Sequence, residues 1–419
     1  MKCKKVCIVG LGYIGLPTAA VVASAGNEVV GLDTNKDIVD KVNRGQVHIV
    51  EPNLEQLVNK AVEKGNLRAI IEPEPADVFL VAVPTPFKDI NHTPDLSYVE
   101  AAARTISSVL KKGDLVILES TSPVGTTAKL NNWLADIRPD LNFVSNKISQ
   151  PDIFVAYCPE RVLPGNVIEE LKRNDRVIGG LCVDSSKKAV EFYQQFVTGI
   201  CHITNSKTAE MSKLVENSYR DVNIAFANEL SSISKDLDIN VWELISLANK
   251  HPRVNILNPG AGVGGHCIAV DPWFIISQSP QKAKIIKQAR EVNDAKPYSI
   301  VEDIVNFCDR EKNLSGAKLQ IGLFGLSYKP DIDDLRESPS VIIANELSNI
   351  YPDQLQIIEP HINEMHKVLG AGMRLSTKQE ACSSCDLIVI LVPHTEFQDI
   401  FDHIDSKVSI LDYCGLTET

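Results

Sequence analysis

Gly264-Gly265-His266-Cys267 puts a thiol behind two glycines, within NPGAGVGGHCIAVDPW, a stretch too rich in glycine and proline for regular structure. A thiol in such a loop differs from an inert core cysteine, because the thiolate is a nucleophile and a nearby cation such as Lys213 favours it. Lys213 and Asn217 lie four residues apart in a helical stretch, so they share a face and could together hold a developing oxyanion. Glu160-Arg161 ends a strand-like run, and Asp271 follows the thiol loop. Taken singly, each has a plain explanation: a lysine on a solvated helix face, a cysteine in a core.

A second constellation opens the chain. Gly10-Leu11-Gly12-Tyr13-Ile14-Gly15 follows an apolar strand and begins a helix. In that context Gly10 permits a tight turn, Gly12 lets backbone approach a pyrophosphate, and Gly15 allows close helix packing. Asp33 ends the next strand at the spacing expected of a ribose-binding acid, and its charge would repel a 2′-phosphate, so NAD is expected rather than NADP. The loops Val83-Pro84-Thr85-Pro86 and Glu119-Ser120-Thr121-Ser122-Pro123 should share the carboxyl edge of the same sheet, where open α/β sheets bind ligands. Ser120 and Thr121 could equally cap the helix that follows.

These groups need a scaffold. VCIVGLG, EVVGLD, DVFLVAVP, LVILES and FVAYCPE read as strands separated by amphipathic stretches, the pattern of βαβ units around a buried parallel sheet. From Thr208 to about Leu237 no glycine or proline interrupts the apolar spacing, which predicts one unusually long helix. A further helical stretch runs through VWELISLANK. LQIGLFGLSYKPD, LQIIEPH, CDLIVILVPHTEF and VSILDYC then return to strands and echo the first segment, with Glu359 in the place of Asp33. The expected fold is α/β: two parallel-sheet domains joined by a central helical domain with one long helix. Its segments are 1–205, 206–300 and 301–419.

The length of 419 residues favours two or three domains, and 44% hydrophobic with 23% charged residues fits a globular chain. A net charge of −12 argues against nucleic acid as a partner. No apolar run is long enough to span a bilayer. The basic start MKCKKVCIVGLG runs into the glycine motif without a cleavage site, so a signal peptide is not expected and a cytoplasmic location is. Most of the ten cysteines lie in apolar strand-like runs, and Cys382-Ser-Ser-Cys385, leading into a strand, reads as structural; no metal site is expected.

At this point a resemblance becomes specific. AEMSKLVENSYRDVNIAFANEL, CPERVLPG, GVGGHCIAVDP and YKPDIDDLRESP together resemble the UDP-glucose/GDP-mannose dehydrogenase family, nearly end to end and in order. The resemblance implies a Rossmann-like NAD domain, a helical dimerisation segment, a Rossmann-like UDP-binding domain, and four-electron oxidation of a sugar C6 alcohol to the acid with two NAD. It implies that Cys267 captures the aldehyde, that Lys213 and Asn217 stabilise oxyanions, and that Glu160, Asp271 and Thr121 position water. Cofactor contacts would come from Gly10, Gly12, Tyr13, Ile14, Gly15, Asp33, Val83, Pro84, Thr85, Ser120, Thr121, Lys329 and Arg336. Substrate contacts would come from Glu160, Arg161, Val162, Lys213, Asn217, Arg220, Arg253, Asn255, Gly264, His266 and Lys329, with Arg253 given to a neighbouring subunit in a homodimer built on the central helix.

Members acting on UDP-glucose carry a small residue before the cysteine and phenylalanine after it, where this chain has His266 and Ile268. NKHPRVNILNPGAGVGGHCIAVDPWF is similar to the branch that oxidises UDP-N-acetyl-D-mannosamine for surface polysaccharides such as enterobacterial common antigen or capsule. UDP-N-acetylglucosamine or UDP-glucose 6-dehydrogenases are the near alternatives. A two-electron hydroxy-acid dehydrogenase of the 6-phosphogluconate type also carries Lys and Asn on a helix, but needs neither GGHC nor a second α/β domain. An inactive nucleotide-sugar sensor would not need Cys267, Lys213, Asn217 and Asp271 all in place.

Overall fold

The computed structural model describes residues 5–89, 91–145, 150–163, 165–265, 267–315 and 318–416. The chain divides into two compact units, Met1–Val215 and Glu216–Thr419. The first contains, in order, β1 (Lys5–Val9), α1 (Gly15–Ser24), β2 (Glu28–Leu32), α2 (Lys36–Asn43), α3 (Leu54–Glu63), β3 (Leu67–Ile70) and β4 (Val78–Val81). It continues through α4 (Ser97–Ser107), β5 (Leu115–Leu118), α5 (Thr126–Ile137), β6 (Phe154–Tyr157), α6 (Val167–Arg173), β7 (Arg176–Gly180), α7 (Val183–Tyr193) and β8 (Cys201–Asn205) to the long helix α8 (Ser206–Asp236). The strands form one sheet in the order β3-β2-β1-β4-β5-β6-β7-β8.

Short apolar strands make this sheet because both faces are covered. Ile8, Leu80 and Ile117 point to one core, while Val9, Val81 and Leu118, one residue on, point to the other. Val9 pairs with Leu32 on one side and Val81 on the other, so the ends of β1, β2 and β4 come level at the carboxyl edge. The sheet is parallel except at one place: β7 runs antiparallel to β6, through Ala156 opposite Gly180, before pairing parallel with β8. The strands β3, β7 and β8 are additions to those expected from sequence.

The second unit holds the rest of α8, then α9 (Val241–Ala248), α10 (Asp271–Gln278) and α11 (Lys284–Ser315), which contains Pro297 and runs through residue 300. A second sheet follows from β9 (Ile321–Phe324), α12 (Pro339–Ile350), β10 (Leu355–Ile358), β11 (Met373–Leu375), α13 (Lys378–Ser384), β12 (Leu387–Ile390) and β13 (Ser409–Asp412). Its order is β11-β10-β9-β12-β13 and every pairing is parallel. Leu323 and Val389 face one core, Phe324 and Ile390 the other. The sequence expectations thus hold for α8, for α9 and for two α/β sheets; β11 was not anticipated.

Candidate active site

In the first unit the glycine turn is built as its spacing requires. Gly10 has φ +91°, and its amide donates to Leu32 O at 2.8 Å. A Cβ on Gly15 would lie 1.8 Å from Gly10 O, so α1 can pack this closely only with glycine there. Gly12 is different: nothing lies within 4 Å of where its Cβ would stand, so the protein itself does not demand glycine. An open position at the start of α1, beside helix N–H groups, suits an approaching pyrophosphate. Asp33 accepts from Leu11 N at 2.8 Å and from Asn35 N at 2.8 Å, which fixes its carboxylate beside the turn. Tyr13 is exposed and Ile14 half-buried on the same rim.

The two neighbouring strand-end loops are tied together. Ser120 Oγ donates to Val83 O at 2.7 Å and accepts from Val83 N at 2.9 Å, and Thr85 Oγ1 donates to Thr121 O at 2.6 Å. Helix capping is therefore not the role of Ser120 or Thr121: α5 starts at Thr126, with Gly125 at its N-cap. The α5 terminus is instead held by Glu210 of α8, fully buried, whose carboxylate accepts from Gly125 N at 2.6 Å and Thr127 N at 2.7 Å. Glu210 was not singled out from sequence.

Glu160 is buried and turned inward. Its Oε1 accepts from Arg161 N at 2.6 Å and its Oε2 from the buried Arg176 at 3.0 Å. Arg161 in turn donates to Asp175 O at 3.1 Å, and Val162 is half-buried. Arg176, invisible to motif reading, thus holds Glu160 as an ion pair. Burial, together with the nearby Glu160 charge, pushes the Glu119 carboxyl up to about 8. Lys213 is half-buried on α8.

In the second unit the thiol loop is irregular but anchored at several points. Asn249 exchanges hydrogen bonds with the Ile256 backbone at 2.7 and 3.0 Å, and Gly260 N donates to the buried Asn228 at 2.9 Å. Cys267 O accepts from Val270 N at 3.1 Å and Asp271 N at 2.9 Å, turning the chain into α10. The buried Asp271 carboxylate accepts from Asn217 Nδ2 at 2.5 Å, which leaves a second N–H on the same amide. The sequence singled out Asn217 and Asp271 separately, and this contact between them is a finding of the structure. A Cβ on Gly264 would lie 2.6 Å from Glu337 O and 2.8 Å from Tyr328 Cβ; one on Gly265 (φ +78°) would lie 2.9 Å from the Tyr328 ring. The two glycines exist so that the loop can press on this neighbour.

Cys267 is half-buried, whereas Cys7 and Cys158 are buried, and burial pushes their thiols up to about 12. Cys382 and Cys385 are both buried, as a structural pair would be. Lys329 is half-buried, and Arg220, Arg253 and Asn255 are exposed. Arg336 is also exposed and is bound within its own loop by Asp334, at 2.5 Å. His266 lies outside the described residues. Asp331, His361, His394 and Glu396 bring possible metal-ligand atoms within 4.8 Å of one another. Both nitrogens of His394 already have protein partners, however: Asp331 N at 3.0 Å on Nδ1, and Glu359 at 3.1 Å on Nε2.

A glycine turn of this build, with an acid at the second strand end, suits a dinucleotide-binding enzyme. The chain belongs to the UDP-glucose/GDP-mannose dehydrogenase family: the NAD binding domain of that family matches residues 4–197, the central domain 207–295 and the UDP binding domain 322–418. It is an NAD-dependent UDP-sugar dehydrogenase. It is 55% identical over 396 residues to the UDP-N-acetyl-D-mannosamine dehydrogenase of Escherichia coli K12, covering 94% of each chain. It is 53% identical over 408 residues to the NDP-N-acetyl-D-galactosaminuronic acid dehydrogenase of Ralstonia nicotianae, covering 97% of this chain and 95% of that one. Among solved structures, the UDP-D-ManNAc dehydrogenase of Pyrococcus horikoshii superposes with a TM-score of 0.86 at 34% identity, covering 98% of this chain and 96% of that one.

Proposed function

We propose that the enzyme oxidises the C6 alcohol of UDP-N-acetyl-D-mannosamine to the uronic acid, for a bacterial surface polysaccharide. The observation that carries the chemistry is Cys267, set half-buried behind two glycines and leading into Asp271, which Asn217 holds. The Gly10–Gly15 turn would hold the NAD pyrophosphate and Asp33 its ribose, and one NAD would supply the hydride acceptor for each of the two oxidations. The alcohol loses a hydride and a proton to become the aldehyde. The Cys267 thiolate adds to that carbonyl, and Asn217 with Lys213 stabilises the oxyanion. Loss of the second hydride leaves a thioester on Cys267. Water, positioned by Asp271, Glu160 and Thr121, cleaves it to the carboxylate and returns the thiol. Arg161, Val162, Arg220, Asn255, Gly264, His266 and Lys329 serve substrate contact in this reading, and Lys329 and Arg336 also serve the cofactor.

The sugar is inferred from the names carried by the relatives, which all specify an N-acetyl sugar in the three reported. The Ralstonia relative favours one second reading, the N-acetylgalactosamine epimer. Incubating the enzyme with UDP-N-acetyl-D-mannosamine, UDP-N-acetylglucosamine, UDP-N-acetylgalactosamine and UDP-glucose ranks the sugars, and two NADH per sugar are expected. One NADH with a free aldehyde or ketone product would refute the covalent route. Cys267→Ser should lower kcat by on the order of a thousandfold or more, with NAD binding nearly unchanged.

The segments 1–205, 206–300 and 301–419 are inferred to serve NAD binding, dimerisation and UDP-sugar binding. A homodimer is supported by α8, where Met211, Val215, Tyr219, Phe226 and Ile233 are exposed at helical spacing. Arg253 would then reach the neighbouring subunit's substrate. Tyr219→Glu should yield monomers in sedimentation velocity; an unchanged dimer would remove α8 as the interface. A cytoplasmic location fits a UDP-sugar substrate, and among the described residues no helix is long and apolar enough to cross a membrane.

A further inference from the structure

His394 has no place in the mechanism above, yet it is fully buried at the carboxyl edge of the second sheet, just beyond β12. Both of its nitrogens are used. Asp331 N lies 3.0 Å from Nδ1 and, being an amide, can only donate, so Nδ1 is the acceptor and the ring proton sits on Nε2. Nε2 lies 3.1 Å from Glu359 Oε2 and 3.2 Å from Ser327 Oγ. Glu359 also accepts from Leu326 N at 2.7 Å and Ser327 N at 3.0 Å, so one carboxylate ties the ring to the turn after β9.

These contacts grip both ends of a five-residue loop, Ser327-Tyr328-Lys329-Pro330-Asp331. Ser327 Oγ, beside the imidazole, donates to Lys329 O at 2.7 Å. Asp331 adopts φ +61°, a left-handed conformation that a non-glycine residue holds only when its surroundings enforce it. The enforcement is the bond to Nδ1 together with two bonds at 2.8 Å from Thr395 N and Oγ1 to the Asp331 carboxylate. Between the gripped ends lies Tyr328, the side chain against which Gly264 and Gly265 pack with no room for a Cβ. Two residues beyond Gly265 is Cys267.

We propose that His394 is a positioning residue for the reaction, fixing the Ser327–Asp331 loop so that Lys329 faces substrate and Tyr328 sets the path of the Gly264-Gly265 segment that carries the nucleophile. The inference rests on the assignment of Cys267 and Lys329 above. Three replacements separate its two bonds. His394→Asn keeps an oxygen near the Nδ1 position for Asp331 N; His394→Gln keeps a donor near Nε2 for Glu359; His394→Phe keeps neither. Each variant is assayed for KM of UDP-sugar, KM of NAD, and the iodoacetamide alkylation rate of Cys267 on the alkaline plateau of its own pH profile, with Cys267→Ser subtracting the other thiols.

With His394→Phe, KM for UDP-sugar should rise about tenfold while KM for NAD rises no more than about threefold, because Lys329 is the one group of the loop that the proposed reading shares with the cofactor. Its alkylation plateau should rise at least about threefold as the loop loosens around the thiol. His394→Asn should lie near wild type and His394→Gln between the two. A wild-type KM and plateau in His394→Phe would overturn the proposal, as would equal shifts in both KM values or an Asn variant that behaves like Phe. Where His394→Phe does not fold, the Asn and Gln variants decide: identical wild-type behaviour of both overturns it. Should none of the UDP-sugars be oxidised, the alkylation plateau still tests the positioning role, and the failure then belongs to the substrate assignment.

Discussion

The turn after β1 and the turn after β9 are the same device put to opposite uses. Gly10 and Gly325 share a left-handed backbone, φ +91° and +87°. Leu11 N donates to Asp33, and Leu326 N donates to Glu359 in the same way. Beyond that they part. Gly12 faces open space, whereas its counterpart is Ser327, bound to Lys329 O; Thr85 sits on the rim of the first crevice, whereas its counterpart, His394, is buried in the second. The first turn is open at Gly12, whereas at Ser327 the second is occupied by the chain's own side chains. Repeating a fold therefore does not repeat a site: where Gly12 and Thr85 stand in the first sheet, Ser327 and His394 stand in the second.

That contrast can be broken most sharply at the glycines. Gly12→Val should weaken NAD by on the order of a hundredfold, about 2.7 kcal/mol, while leaving thermal stability nearly unchanged. Gly325→Ala should do the reverse: its Cβ would meet Val392 Cβ at 2.5 Å at a positive φ, so a loss of about 2–4 kcal/mol is expected, with NAD affinity retained. Isothermal titration and calorimetry on both variants check this; stability loss in Gly12→Val alone would show that the first crevice is structural. Next in size, Asp33→Asn should raise the NAD Kd about tenfold and relax the exclusion of NADP, because it removes a charge and an acceptor. Glu359→Gln should move neither, and a matching NAD effect there would place the cofactor in the wrong unit.

The smallest effect concerns pH. Glu119 and Glu359 are both buried acids, but they lean opposite ways from the ordinary 4.5. Burial raises Glu119 to about 8, so its contribution is fully present at low pH and is lost as pH rises toward and through about 8. For Glu359 burial is outweighed by hydrogen bonds from His394 and the Leu326 and Ser327 amides, which hold it below 4.5. Its contribution is present above that value and is lost as pH falls below it. Melting curves from pH 3.5 to 9 should therefore show Glu119→Gln flattening the alkaline decline and Glu359→Gln flattening the acid one. If Glu119→Gln leaves the alkaline limb untouched, that carboxyl is not protonated in the folded protein.

The sequence announces what depends on fixed local spacing. Gly10, Gly15 and Asp33 could be read because the turn, the helix packing and the acid at the next strand end sit at set intervals; α8 because nothing interrupts it. What it conceals is set by long-range contact. β7 reads as a loop, since Gly179 and Gly180 carry no strand signal; they are there because Asn205 O and Ser186 approach within 2.5 and 2.4 Å of their missing Cβ positions. β8 is largely exposed at an edge and β11 has three residues, so neither shows a buried apolar run. Within the proposed site, Cys267, Asn217 and Asp271 are suggested by residue type and spacing. Arg176 behind Glu160, Glu210 beneath α5 and Tyr328 against the glycines could not be, because each acts through a partner more than ten residues away.

The close fit at Gly264 also bears on how this sequence can drift. Its obstacle at 2.6 Å is Glu337 O, a backbone atom that no change of residue 337 removes. A side chain at 264 would need the whole 328–339 stretch to shift, so no single mutation opens a route to it, and Tyr328 and Pro339 are bound to the same fate. Gly12, with nothing around its missing Cβ, could be altered freely as far as folding is concerned, and in the proposed reading only the loss of NAD would remove the mutant. Two glycines that look alike in the sequence would then be guarded by different forces of selection, one by the architecture of the chain and the other by the cofactor proposed for it.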